Sequence, residues 1–394
     1  MPFPHMYDLN DPKITRQIAQ DVDRDFETKS FWTCMSGSDS RFPIFTKYQT
    51  QVGDFTRKFL NSLTGDGVRG NADFDTKEDK LSYLSMSISQ DIFGNSTTSD
   101  DDRIERYVHG NSFTRDAVGA LSDWRRRFFD RKIFASLSHN CTNIAAFGFG
   151  TKTGLYTINQ GQSTQDLCKQ IQDVDKFTLR GLRSALYNAR MGIDHKQQRH
   201  PRVRPYRIYT KSNEGVSVTQ NLYIALLHPM QLAALEDDPD YVMVQAHANE
   251  RGVSNPLISG QVGIIDGCII VNAGEWSDEL KEAGILTSDV ADIEGELNKR
   301  EIVDRGITQM NVYAGDGGQL TACGLLIGGT SLLLSSDFKS QVRMEKTDLD
   351  RKIRVGLDVF FGMRKTHYTG YTEEEKKSLY HGKDFSCMAL VSAI

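Results

Sequence analysis

Few folds can hold the stretch from Asn221 to Trp276, NLYIALLHPMQLAALEDDPDYVMVQAHANERGVSNPLISGQVGIIDGCIIVNAGEW, because its backbone preference changes repeatedly over a short span. Leu222 to Leu227 is an apolar run enriched in strand formers. His228-Pro229 ends it, since proline offers no ladder N–H and restricts the residue before it. Pro229 then opens a helix, and Met230 to Leu235 keep helical apolar spacing up to Asp237-Asp238-Pro239-Asp240, a breaker with turn chemistry. Beyond the loop Asn255-Pro256-Leu257, glycines at Gly260, Gly263 and Gly267 alternate with apolar residues ahead of a strand over Cys268 to Asn272. The expected order is strand, tight turn, helix, loop, strand, with no catalytic constellation inside it.

Chemistry elsewhere in the chain fails on context. Gly65-Asp66-Gly67-Val68-Arg69-Gly70 matches G-x-G-x-x-G, but that motif needs a buried strand before it and an apolar helix after it to receive a pyrophosphate. Here NADFDTKEDK follows, which repels phosphate, and Gly148 to Gly154 is similarly loop-like. The histidines show no H-x-x-x-H or H-E-x-x-H spacing, so no helical metal site is expected. His228 reads as a turn residue ahead of a ligand or base, and Asp237, Asp238 and Asp240 as a helix stop ahead of a cation site. No catalytic, cofactor-binding or metal-binding residue is expected, and no cofactor. The chain is read as no enzyme.

Composition narrows the classes further. The 394 residues can hold one large or two to three ordinary domains, and 39% hydrophobic content suffices for a core. Six cysteines without a C-x-x-C pair read as reduced cytosolic thiols. No apolar run of about 18 residues is present, so no membrane span is expected. A net charge of −5 argues against a dedicated nucleic-acid binder.

The ordered set LLHPMQLAALEDDPD then NPLISGQVGIIDGCIIV resembles the major capsid protein family of tailed phages typified by the N-four-like podoviruses. VRPYRI at Val203 to Ile208, TACGLLIGGTSLLLSS from Thr321 and the ending DFSCMALVSAI resemble further parts of that family, so that roughly Phe31 to Ile394 is covered. The resemblance implies an α+β, HK-97-like capsid fold: an N-terminal arm over 1–53, an extended loop over 54–99, a peripheral domain over 100–206 and 337–394 with a long spine helix, and an axial domain over 207–336. It implies a major capsid protein that self-assembles into hexamers and pentamers of an icosahedral shell around double-stranded DNA. Implied partners are copies of itself, scaffolding, portal and decoration proteins, and packaged DNA in non-specific proximity. The implied place is the virion, after assembly in the host cytoplasm. An encapsulin-like shell and an α+β enzyme with a dispersed site are the alternatives.

Within that frame, individual segments take roles. Asp11-Pro12 can start a helix in which Ile14, Ile18, Val22 and Phe26 recur every four residues, a narrow stripe for either the chain's own core or an adjacent subunit. Asp54 to about Ser99 is a polar ribbon that cannot build its own core, and in the family this region lies across the neighbouring subunit. Gly65, Gly67 and Gly70 fall in it and are interface candidates. Ser112 or Thr114 can cap a long helix to about Leu137, the implied spine helix. Its Arg125, Arg126, Arg127, Arg131 and Lys132 suit a solvated or ion-paired face, then a neighbour's acidic patch, then DNA; Arg125, Arg126 and Arg131 join the interface candidates. Asp166 to Met191 reads as a pair of helical segments, Ser277 to Arg300 as a surface helix, and Lys352 to Arg364 and Phe385 to Ile394 as strands returning to the peripheral domain.

Overall fold

Runs with apolar residues at every position form the central strands of this chain, and runs with alternate apolar residues form its flanking sheet. The computed structural model describes residues 12–30, 32–38, 42–48, 55–60, 83–88, 90–99, 113–138, 141–147, 156–157, 171–192, 202–211, 217–249, 263–272, 313–314, 320–347, 352–368 and 381–393. In chain order these form α1 (Pro12–Lys29), β1 (Ser36–Gly37), β2 (Ile44–Tyr48), β3 (Phe55–Leu60), β4 (Tyr83–Ile88), β5 (Asp91–Thr98), α2 (Phe113–Ser138), β6 (Ile144–Ala146), β7 (Tyr156–Thr157) and α3 (Leu179–Met191). There follow β8 (Tyr206–Lys211), β9 (Ser217–Leu227), α4 (Pro229–Glu236), α5 (Pro239–Asn249), β10 (Gly263–Ile265), β11 (Cys268–Asn272), β12 (Tyr313–Ala314), β13 (Leu320–Ile327), β14 (Leu332–Thr347), β15 (Lys352–Lys365) and β16 (Cys387–Ala393).

The larger sheet has nine strands in the order β10-β11-β9-β13-β16-β6-β7, with β12 on β13 and β8 on β9. Its central strands are mostly apolar on both faces where they pair with one another, because both faces are covered. Ile224, Leu226, Cys323, Leu325, Ile327, Ala389 and Val391 face one core, into which α2 packs Phe129, Ile133, Phe134 and Leu137. The alternate residues Tyr223, Ala225, Leu227, Leu326, Met388 and Leu390 face a second core with Leu179, Leu182, Leu186 and Ala189 of α3, Leu232 and Leu235 of α4, and Tyr241 of α5. The result is three layers: α3–α5, the sheet, and α2.

The smaller sheet, β1-β2-β14-β15-β5, is built on the long β14–β15 hairpin, with a bulge between Ser336 and Ser340. Residues of β15 alternate in burial, and its inward Val355 and Leu357 meet Ala117 and Leu121 from the first half of α2. A single 26-residue helix thus serves both sheets. The sheets do not follow the domain boundaries expected from sequence. β6 and α3, from the stretch 100–206, and β16, from 337–394, belong with the larger sheet, while β5, expected in the extended loop, pairs along β15. The reason for β16 is its two apolar faces, which suit a central strand and not an edge. Of the two helical segments expected over Asp166 to Met191, the second is α3, but residues 171–178 ahead of it form a turn and an isolated bridge, not a helix, and 166–170 lie outside the described residues. The helix expected over 277–300 lies outside the described residues.

The chain's own core receives the α1 stripe. Val22 is buried with Ala117, Leu121 and Met344, Ile18 is partly buried beside them, and the Phe26 ring meets Phe129 edge-on at 4.9 Å. Polar contacts fix the opposite flank: Asp25 Oδ2 accepts from Ser122 Oγ at 2.8 Å, and Ser30 Oγ donates to Asp130 Oδ1 at 2.6 Å. Asp23 Oδ1 accepts from Arg125 at 2.6 Å and from Ser340 Oγ at 2.7 Å, so α1 is pinned to α2 and to the bulge of β14 at once. Asp23→Ala leaves the nearly enclosed Arg125 without this partner, and urea unfolding of the isolated subunit should show a loss of about 1.5–3 kcal/mol. An unchanged value would mean that the pair is screened by solvent.

The passages from β13 to β14 and from β15 to β16 meet at one buried junction, formed by Gly328-Gly329-Thr330-Ser331 in the first and by Thr366, Asp384 and Ser386 in the second. The N–H of Gly328 donates to Ser386 O, that of Gly329 to Arg204 O, and that of Thr330 to Phe42 O. A Cβ on Gly328 would run into the Arg204 carbonyl oxygen, so only glycine fits this crossing. Thr330 has φ 57°, a left-handed conformation that a β-branched residue adopts only when its surroundings enforce it. Thr366 Oγ1, donating to Thr330 O at 2.5 Å, is part of that enforcement.

Candidate assembly surfaces

The stretch that suggested ligand chemistry is occupied with capping its own helices. His228 is the N-cap of α4: its Nδ1 accepts from Met230 N, and Gln231 closes a capping box by accepting from His228 N. Gln231, fully buried, donates through Nε2 to Ala322 O and Leu390 O at 3.1 Å and to Ser392 Oγ at 3.0 Å, fastening α4 to β13 and β16. Asp238 serves two helices. Its Oδ2 accepts from Leu179 N at 2.7 Å, at the start of α3, and its Oδ1 accepts from Asp240 N at 3.1 Å, at the start of α5. The breaker expected at 237–240 therefore ends one helix and starts another, with Pro239 in the first-turn position that proline favours. Among the described residues no three His, Cys, Asp or Glu side chains gather to hold a metal ion. Among them, too, no helix is long and apolar enough to cross a membrane.

A charged cluster that sequence reasoning missed sits at the inter-sheet junction. Lys365 at the end of β15 and Asp384 ahead of β16 are both fully buried, with Nζ 3.2 Å from Oδ1; His367 Nδ1 lies 3.1 Å from the same oxygen. Thr142 N donates to Asp384 Oδ2 at 2.8 Å, and Thr142 Oγ1 accepts from Asp384 N at 2.7 Å. Burial by itself would raise the Asp384 carboxyl, but the Lys365 charge, the His367 contact and the Thr142 N–H outweigh it and hold it at about 2. The members stand at 142, 365, 367 and 384, so no local spacing announced them.

The interface candidates divide sharply. Val22 and Phe26 are 2% and 1% exposed and Ile18 lies against the same core, so this stripe is engaged within the chain. Arg125 is equally enclosed, its guanidinium 4.3 Å from the Phe26 ring centre and paired with Asp23. The physical reason is that α1 lies along α2 and needs its apolar stripe for that contact. Lys132 is likewise buried, over the rings of Phe93 and Phe128. Arg126 is half-buried and Arg127 exposed on the same helix. The side chains of Ile14 and Arg131, and all of Gly65, Gly67 and Gly70, lie outside the described residues. Further surface open to a partner lies elsewhere. β3 and β4 pair only with each other among the described strands, from Phe55↔Ile88 to Leu60↔Tyr83. On the helical layer, Tyr187 and Met191 of α3, Met230 of α4, and Val242 and Met243 of α5 are exposed.

A family model for phage capsid protein matches residues 28–393. The chain belongs to the phage capsid protein family. Major structural protein ORF14 of Helicobacter pylori bacteriophage KHP30 is 26% identical over 373 residues, covering 91% of this chain and 88% of the relative. The acid-stable capsid structure of the same phage superposes with a TM-score of 0.69 at 23% identity, over 93% of this chain and 92% of that one. The capsid of cyanophage Pam1 gives 0.61 at 15% identity, over 93% and 92%. The fold is thus HK-97-like and α+β, and the capsid protein's work is structural: it forms a phage shell.

Proposed function

We propose that this capsid protein is the major shell subunit of a tailed double-stranded DNA phage, assembling into hexamers and pentamers of an icosahedral lattice in the host cytoplasm. One observation carries the reading: the subunit presents a two-stranded β3–β4 ribbon with no third strand among the described residues, and such a ribbon is marginal in water until something packs on it. A neighbouring copy supplies that surface. The axial domain is the nine-stranded sheet with α3–α5, and the peripheral domain is α2 with α1 and the five-stranded sheet. The exposed residues of α3–α5 face other axial domains. Arg126 and Arg131 of the spine helix and the loop glycines Gly65, Gly67 and Gly70 remain candidates for contact between subunits. Many weak contacts per subunit combine into a stable shell. Scaffolding, portal and decoration proteins are its further partners, and packaged DNA lies close without a dedicated site, in keeping with the net charge of −5. Kinship with the N-four-like group is supported by the motif order of Asn221 to Trp276.

The test is direct. Purified protein, alone and with a co-expressed scaffolding protein, is run on sizing chromatography and viewed by negative-stain microscopy. Closed particles of uniform diameter are expected; a stable monomer or dimer under every condition would refute the proposal.

A further inference from the structure

Two buried thiols lie against the charged cluster and have no part in the assembly argument. Cys141 follows α2 and Cys387 opens β16, and both donate to the same oxygen, Leu137 O, at 3.5 and 3.6 Å. The two sulfurs therefore converge on one carbonyl oxygen. β16 runs parallel to β6 with Ala389 beside Ile144, so extending that register back two residues sets Cys387 beside Thr142, the neighbour of Cys141. Lys365 Nζ is 3.7 Å from Cys141 Sγ, a cation placed where a thiolate would form. The thiol pair is polarised: the neighbouring Cys387 thiol and then the Lys365 charge lower Cys141 against the effect of burial, while Cys387 is raised. Cys268 is different, since burial pushes it up to about 12.

We propose that Cys141 and Cys387 are a latent redox pair that closes to an intrachain disulfide in oxidising surroundings, tying the end of the spine helix to the C-terminal strand beside the inter-sheet junction. With a small disulfide such as oxidised glutathione as the electron acceptor, the Cys141 thiolate attacks one of its sulfurs and expels a glutathione thiolate. Cys387, losing its proton, attacks Cys141 Sγ of the mixed disulfide and expels the second. The protein gives up two protons and two electrons, and one oxidised glutathione takes them up to become two thiols. Because both thiols are buried, exchange proceeds from transient local opening. The bond itself does not depend on the shell reading; its use, fixing a subunit that folds in a reducing cell and later leaves it, does.

The experiment uses the whole chain. Protein held in reduced or in oxidised glutathione, without denaturant and in urea just below the unfolding midpoint, is quenched with N-ethylmaleimide in denaturant, digested without reduction and mapped by mass spectrometry. The oxidised sample should lose both alkylated peptides and gain a Cys141–Cys387 linked peptide that dithiothreitol splits, while the Cys268 and Cys323 peptides stay alkylated. Recovery of Cys141 and Cys387 as alkylated thiols in both urea conditions overturns the proposal, as does a lasting glutathione adduct without the link. Cys387→Ser protein should instead stop at a glutathione adduct on Cys141; its absence would refute Cys141 as the attacking sulfur. The oxidised wild type should also melt several degrees above the reduced form, a difference absent in Cys387→Ser.

Discussion

Asp384→Asn is expected to lower the stability of the isolated subunit by about 3–5 kcal/mol, the usual result of removing one partner from a buried ion pair. The substitution changes little volume, so the loss comes from Lys365, which keeps a charge in a fully buried site without its carboxylate. Replacing both partners, as in Lys365→Met with Asp384→Leu, should recover most of the loss, since two apolar side chains of similar size need no compensation. Equilibrium unfolding in urea measures both. The pH dependence follows from the Asp384 carboxyl, held at about 2 when folded against about 3.9 in an unfolded chain. Folding therefore favours the ionised form; the contribution is complete above about pH 4 and fades as pH falls toward about 2. The gap between wild type and Asp384→Asn should be as wide at about pH 5 as at about pH 7, and should begin to narrow only below about pH 4. A gap that already narrows between about pH 7 and about pH 5 would contradict this account.

Local rules reached as far as local chemistry decides structure. The helix expected from Ser112 or Thr114 to about Leu137 runs over Phe113–Ser138, because its apolar residues hold helical spacing through the basic stretch. The strand–proline–helix step at Leu227-His228-Pro229 was equally legible, since proline excludes a further ladder bond and favours a first helical turn. The stop at 237–240 was seen but not the start of α5 within it, because one Asp-Pro pair serves both purposes. At Asp266-Gly267 the chain carries a two-residue hairpin signal: φ is 50° and 78°, and Arg183 holds the Asp266 carboxylate at 2.5 Å. Read only as glycines alternating with apolar residues ahead of a strand, this stretch gave no sign of the turn.

Pairing at long range was beyond such rules. Whether Phe385 to Ile394 joins one sheet or the other depends on a neighbour near residue 320, and the destination of the α1 stripe depends on α2, about a hundred positions away. The Lys365, His367 and Asp384 cluster is assembled the same way, by two connections returning to one junction. A charged residue at the end of an apolar strand is ordinary when read alone. It becomes a structural anchor only when the fold brings its counter-charge to it.

The sharpest test of the ribbon comes from where it is rooted. A deletion spanning Gly65 to Gly94, most of the loop expected over 54–99, would remove Ile88, which packs with Phe45 and Leu333, and Phe93, which stacks on Phe361 at 4.4 Å. It would also take part of β5 from its pairing with β15. Loss of folding would follow for reasons unrelated to assembly. Replacing residues 57–86 with a short Gly-Ser turn keeps those anchors, and because β3 and β4 pair only with each other among the described strands, it breaks no rung of either larger sheet. The shortened subunit should keep its unfolding free energy in urea within about 0.5 kcal/mol of wild type, the range of changes remote from the core. Closed shells should be absent by negative-stain microscopy, since each subunit would lose the surface its neighbour covers. If shells form at normal yield from the shortened chain, the ribbon is not an assembly element, and the contacts that close the lattice lie on α3–α5 or along β5.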